Sequence, residues 1–321
     1  MSFLSRLATL IFCAAVVTAQ APVSSPAKLP FELRRIGPNV WVATDDSNGD
    51  AGANAGFILG DNGVVVIDTF ENEQAAKSLL VEIKKITHLP LKFVVNTHYH
   101  ADHVAGNRVF SDAGAVIVAH RNVASWINSE NLKLFGEKIK PEEKTMVNHL
   151  LGPEVVYDSE LTLLLGTRHI DLRFFPGHTG GDTIVSIPDA GVVFCGDLFW
   201  RKTLPNLIDA TTSDWIHTLA EIPSILPEAS GRTATFVPGH GAIGNTRDLQ
   251  EFQNYLEFLR SITQRSMNNG KTGDDLVNAV LPELTQGYGS WDWFKDFSRS
   301  DILDVAAELN GTKRVPTPDK K

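Results

Sequence analysis

At 321 residues and 43% hydrophobic composition, the chain can bury a full core as one large domain or two small ones. Its net charge of −9, with no basic patch evident along the sequence, counts against nucleic acid as a partner. Beyond the first twenty residues, no segment is long and apolar enough to cross a bilayer.

The N-terminus stands apart. Met1 to Arg6 carries one positive charge, Leu7 to Val17 is apolar, and Val17-Thr18-Ala19 offers small residues. This pattern predicts a signal peptide over residues 1–19, with cleavage after Ala19 and a periplasmic or secreted protein that is not inserted in the membrane. Cleavage after Ala21 is disfavoured by Pro22, and Phe12 before Cys13 argues against a lipoprotein signal. Removal of Cys13 leaves Cys195 alone, so the mature chain forms no internal disulfide.

A Pro/Ser/Ala-rich linker is expected to residue 32, then a catalytic domain over 33–245, a helical extension over 246–312 and a disordered tail over 313–321. Residues 39–44, 56–59 and 63–68 read as strands, and the Gly/Asn/Asp-rich stretch 45–54 as a mobile hairpin loop. A helix over 71–86, a strand over 91–95, a short helix over 104–110 and a strand over 115–119 follow. This alternation implies a sheet covered by helices. A polar helical stretch over 121–144 leads to strands at 161–165 and 169–175. Helices are then expected over 214–226, 247–267, 274–280 and 302–309. The aromatic cluster of Trp291, Trp293, Phe294 and Phe297 reads as packing under a helix, and His120, His149, His169 and His217 as structural or surface residues. Cys195 reads as a small buried strand residue, although simple alternation would point it the same way as Asp197.

The chemistry is concentrated in Asn96-Thr97-His98-Tyr99-His100-Ala101-Asp102-His103, directly after an apolar strand. In an extended backbone His98, His100 and Asp102 point one way, and a turn at Ala101-Asp102 brings His103 round. Imidazoles with a carboxylate suit zinc. Three later segments repeat the design, ending a strand or a Gly-rich turn in a ligand-type residue: His178 after Pro176-Gly177, Asp197 after Cys195-Gly196, and His240 after Pro238-Gly239. Seven such side chains exceed the four ligands of one zinc and suit two metals sharing one carboxylate. Asp68, at the end of its strand, is either a carboxylate that orients a metal-bound histidine or a turn residue.

This ordered set resembles the metallo-β-lactamase superfamily from about Asn39 to Gly241. The resemblance implies an α/β fold, the four-layer αββα sandwich, here with extra C-terminal helices. By matching positions, His98, His100 and His178 would bind one zinc, Asp102, His103 and His240 a second, and Asp197 would bridge. Asn206, in Asn206-Leu207-Ile208-Asp209-Ala210, resembles a site-lining asparagine of true β-lactamases, and loop 45–54 matches their substrate flap. Two features depart from those enzymes: they usually carry cysteine where Asp197 stands and lack histidine at His103, a pattern that is similar instead to glyoxalase-II-like thioesterases and lactonases. Their carboxylate-binding lysine has no plain match; Arg201 or Lys202 are the substitutes at hand.

A water bridging two cations, its pKa lowered from about 15.7 to about 7, is hydroxide at neutral pH. The sequence therefore predicts a binuclear zinc hydrolase that opens a cyclic amide of a small-molecule substrate, with Asp102 orienting the nucleophile and Asn206 donating to the oxyanion. Lactone or thioester hydrolysis is the alternative within the same machinery. The all N/O donor set leaves iron or manganese open, and with iron a redox role. The oligomeric state is not legible in the sequence.

Overall fold

The computed structural model describes residues 28–45, 49–134, 139–226 and 234–317, so the expected signal peptide lies outside the described residues. Two sheets face each other. The first contains β1 (Phe31–Gly37), β2 (Val40–Asp45), β3 (Ala55–Leu59), β4 (Val64–Ile67), β5 (Leu91–Val95), β6 (Val116–His120) and β7 (Val155–Tyr157), in chain order across the sheet. The second runs β12 (Thr235–Gly241), β11 (Val192–Arg201), β10 (Thr183–Ile187), β9 (Arg168–Phe174) and β8 (Glu160–Leu165).

The continuous apolar strands are explained by burial on both faces. In β4, Val64 and Val66 pack towards helices, whereas Val65 and Ile67 pack towards the other sheet. Likewise in β11, Val193 and Cys195 face helices while Val192 and Phe194 face the opposing sheet. Helix α1 (Glu73–Ile86), capped by Asn72, and α3 (Asn107–Ser111) cover the first sheet. Helices α7 (Thr212–Glu221), α8 (Thr246–Asn268), α9 (Gly273–Tyr288) and α10 (Phe294–Leu309) cover the second, in one cluster with Trp215, Phe252, Leu256 and Ile302. Between them in the chain, α4 (Arg121–Trp126), α5 (Ser129–Leu134) and α6 (Pro141–Asn148) form a satellite cluster around Trp126 and Tyr99. The layers are α, β, β, α, as expected.

Several expectations need correction. The linker ends before residue 32, because β1 starts at Phe31 and pairs antiparallel with β2. Helix α9 runs past Val280 with Pro282 inside it. Burial of Leu276, Val277, Val280 and Leu284 outweighs the roughly 3 kcal/mol preference against an interior proline. The tail is not free over residues 313–317: the Lys313 ammonium donates to Leu207 O, Arg314 pairs with Glu130 at 2.8 Å, and Pro316 is buried. Residues 318–321 lie outside the described residues.

Loop 45–54 also differs from its expectation over the described residues 49–54. Ala51 and Ala53 are fully buried, and Asn54 is a four-way tie. Its Nδ2 donates to Pro238 O and Gly241 O at 2.9 Å each, its Oδ1 accepts from Asp45 N–H, and its own N–H donates to Gly239 O at 2.8 Å. Composition suggested little to pack, but one buried carboxamide fastens the loop to the strand end that carries His240. Replacing Asn54 by Ala strands two carbonyls and is expected to cost roughly 2–4 kcal/mol, read as a lower urea midpoint at unchanged slope.

Candidate metal centre

All seven predicted ligand-type residues meet at one edge of the sandwich. His98 and His100 lie in the loop after β5, Asp102 and His103 on the short helix α2 (Ala101–Val104), and His178 between β9 and β10. Asp197 sits within β11 and His240 near the end of β12. The expected extended register fails after His100, which caps α2; a helical turn, not a strand, presents Asp102 and His103.

The side chains form two adjoining pockets. Donor atoms of His98, His100, His178 and Asp197 lie within 4.8 Å of one another, as do those of Asp102, His103 and His240. Asp197 spans both. Its Oδ2 lies 3.7 Å from His98 Nε2 and 3.2 Å from His178 Nε2, and its Oδ1 lies 3.1 Å from His103 Nε2 and 3.5 Å from His240 Nε2. Asp102 Oδ2 completes the second pocket at 3.2 Å from His240 Nε2.

Two glycines make room for this carboxylate. A Cβ on Gly239 would fall 1.8 Å from Asp197 Oδ1. Gly196 has φ +50°, and a Cβ there would fall 2.4 Å from Thr97 Oγ1. The irregular backbone at Gly196 also breaks strand alternation, so Cys195 faces the helical core while Asp197 faces the site. Burial pushes the Cys195 thiol up, as befits an inert core residue.

The donor set fits metal ions. His98 Nε2, His103 Nε2, His240 Nε2 and Asp197 Oδ1 are buried without a partner in hydrogen-bond geometry. Such atoms are costly unless something accepts their lone pairs. His100 Nδ1 and His178 Nε2 stand 2.9 Å apart, an approach that needs a shared proton or a cation.

Protonation divides the pockets. Burial, reinforced by neighbouring imidazoles, holds His98 well below the usual histidine range and His178 down to about 3. In the second pocket burial also opposes charge, but Asp197 and Asp102 overcome it. They raise His103 well above its ordinary value and push His240 up to about 9. Burial would raise both carboxylates, yet the surrounding histidines hold Asp102 and Asp197 well below the usual range.

Outer contacts fix the rings. Asp68, left-handed at φ 54°, places Oδ2 2.9 Å from His103 Nδ1 and accepts from Thr97 N–H at 2.8 Å and Thr97 Oγ1 at 2.7 Å. Of its two sequence readings, the orienting carboxylate is the one realised. Asp209 plays the same part for His100, at 3.4 Å from Nε2, and accepts from the Tyr99 hydroxyl at 2.5 Å. Trp200 donates to Asp197 O at 2.9 Å and lies over His240, with centroids 4.2 Å apart. The sequence reading missed Asp209 and Trp200; their only signal was position, shortly after the Asp197 strand end.

A cavity of about 370 Å³ opens on the cluster, and Asn206 lines it with Trp200, Trp293 and Phe297. Asn206 Oδ1 accepts from Ile208 N–H at 3.1 Å, which leaves the NH₂ end as its donor. Arg201 is turned away, paired with Asp248 at 3.0 Å, and Lys202 is exposed; neither lines this cavity. The aromatic run expected to be packing is split: Trp291 is buried beside Tyr255, whereas Trp293 and Phe297 line the cavity. His120 stacks on Phe174 and caps α4, and His169 and His217 are exposed, in keeping with structural or surface roles.

Residues 48–240 match the family model described as Metallo-beta-lactamase superfamily, and the chain belongs to that superfamily. Among its relatives is a linear primary-alkylsulfatase from Pseudomonas sp., 24% identical over 70% of this chain; the alignment spans only 49% of that longer protein. A metallo-beta-lactamase type 2 from Bacillus cereus is 26% identical over 67% of this chain and 78% of its own length. A hydroxyacylglutathione hydrolase from Gloeobacter violaceus is 27% identical over 59% of this chain and 68% of its own. A solved metallo-beta-lactamase from Pontibacter korlensis aligns with TM-score 0.58 at 24% identity, covering 71% of this chain and 99% of that one, which supports the shared fold. The superfamily and these relatives are metal-dependent hydrolases, and so is the class of enzyme this chain represents.

Two outcomes follow. Asp68→Asn, which weakens the hold on His103, should lower zinc affinity roughly 10–100-fold in a chelator competition. Because His103 and His240 carry protons at pH 7 in the metal-free protein, zinc entering their pocket must displace them. Affinity there should therefore rise from pH 7 towards 9 with proton release, whereas His98 and His178 release none. Calorimetry in buffers of different ionisation enthalpy checks both statements.

Proposed function

We propose that this chain is a binuclear zinc hydrolase that opens a cyclic amide, as a β-lactamase does. The observation that supports it best is Asp197, whose two oxygens face two separate clusters of lone pairs at the floor of a cavity. The full proposed ligand set is His98, His100, His178 and Asp197 for one ion and Asp102, His103, His240 and Asp197 for the other.

Bound there, two zinc ions would supply a water acidic enough to act as nucleophile near pH 7 and Lewis-acid polarisation of the carbonyl oxygen. Asp102 is ionised, is held by His103 and His240, and retains 30% exposure of its side chain towards the cavity. As a carboxylate it can accept a hydrogen bond from the nucleophile and orient it. The Asn206 NH₂ donates to the carbonyl oxygen as charge develops on it. Asp68 and Asp209 keep the His103 and His100 rings fixed, so little reorganisation accompanies the reaction. The aromatic wall of Trp200 and Trp293 limits water around the reacting bond.

A second reading, hydrolysis of a lactone or thioester, is favoured by the aspartate at position 197 together with His103 and by the absence of Arg201 and Lys202 from the cavity wall. The leader-like residues 1–19 support export to the periplasm or beyond, where β-lactam hydrolysis would confer antibiotic resistance.

Zinc-loaded protein is expected to hydrolyse a chromogenic cephalosporin, to lose activity with a chelator and to regain it with zinc. Asp102→Asn should reduce turnover by roughly 10²–10⁴. Lactone or thioester turnover without cephalosporin turnover would select the second reading.

A further inference from the structure

We infer that Trp293, with Trp200 and Phe297, forms a platform that binds an apolar acyl or aryl group attached to the scissile carbonyl. This rests on the hydrolase reading and names a substrate class for the same site.

Trp293 is 39% exposed, and among the described residues no other Trp, Tyr or Phe side chain is as exposed. Its backbone lies at φ 59°, ψ 13°, the left-handed region, which a bulky residue adopts only where its surroundings hold it. Neighbouring backbone bonds hold it there: Leu204 N–H donates to Asp292 O and Asp292 N–H to Lys202 O, both at 2.9 Å. The strained turn thus stitches the α9–α10 connection to the end of β11, just beyond Trp200. It places the Trp293 ring 5.0 Å from His240, 5.5 Å from Trp200 and 5.8 Å from Phe297, centroid to centroid. A large apolar ring kept in water beside reactive groups is a surface awaiting an apolar partner.

Trp293 and His240 also line a second cavity of about 600 Å³, reaching Thr44, Thr203, Glu32 and Arg34. A substrate with its carbonyl at the histidine cluster can pass its apolar group over Trp293 and continue into this space. No lysine or arginine lines the cavity over the cluster among the described residues, so bound metal ions would be the cations that a carboxylate beside the scissile bond meets. The lining of the second cavity sets Glu32, Asp45 and Asp292 against one cation, Arg34, which stands 3.5 Å from Glu32, so its far end is polar and unsuited to an anion. The geometry therefore favours an amide, ester or lactone carrying an extended apolar substituent over a small polar substrate.

The test is equilibrium binding of straight-chain hydroxamic acids, from two to ten carbons, to the zinc-loaded full chain by calorimetry. Affinity should rise roughly three- to fourfold for each methylene that reaches the platform. Trp293→Ala should weaken the ten-carbon probe tenfold or more and the two-carbon probe less than twofold. Trp293→Gly, which also relieves the positive φ, should give the same flattened series in a protein at least as stable as the wild type. A chain-length series that is flat in the wild type, or equally steep in both variants, overturns the platform. Absence of binding by every hydroxamate overturns it together with the metal reading. A steep Trp293-dependent series in a protein that hydrolyses none of the cephalosporin, lactone and thioester substrates supports the platform and rejects only the hydrolytic reading.

Discussion

The structure turns on one carboxylate. Asp197 must stand buried between four imidazoles with each oxygen committed to a different pair, and an unpaired buried charge would be costly. The site is built around that demand. Parallel pairing of β11 with β12 brings His240 alongside, and Gly239 leaves the oxygen the space a methyl would take. The left-handed Gly196 redirects the strand so that Cys195 can stay in the core while Asp197 reaches the edge. The histidines nearest Oδ1 are held in their charged form by Asp197 and Asp102, whereas burial keeps His98 and His178 neutral, so the two pockets differ in protonation.

The orienting contacts come from widely separated parts of the chain and converge on different rings. Asp68 directly follows β4 and secures both His103 and the Thr97 backbone. Asp209 follows β11 and holds His100. Asn54 fastens the β2–β3 loop to the backbone flanking His240. The Asp209 and Asn54 bonds link segments of different sheets, so the site is also part of what joins the two sheets. Thr183 N–H donating to Thr97 O at 2.7 Å is a further such bond.

The ligand set was legible because its grammar is local: an apolar run, a glycine or turn, then a histidine or carboxylate. The same holds for the strands buried on both faces, whose uninterrupted Val/Ile content needs no tertiary knowledge. What escaped depends on distance. Asp209 reads as one more acidic residue until the fold sets it against His100, and Trp293 looks like its buried neighbour Trp291 until the turn at its own φ separates them. Loop 49–54 looked unattached because its anchor, Asn54, spends its hydrogen bonds on residues near position 240. The tail misled for the same reason: Lys313 and Arg314 are polar in composition but find Leu207 and Glu130 in space. Helix α9 outran its sequence signal because packing on α8 and α10 outweighed the proline.

The grip on Leu207 has a consequence for how the site comes into being. Leu207 lies between Asn206 and Asp209, and its carbonyl accepts from the Lys313 ammonium. Glu308 of α10 accepts from the Thr212 and Ser213 N–H groups just downstream. All candidate ligands precede these clasps in the chain. A nascent polypeptide synthesised only through His240 would possess every histidine and carboxylate of the cluster, yet the segment that steadies His100 would still lack its outer hold. The rigidity of the centre therefore depends on helices that contribute no ligand to it.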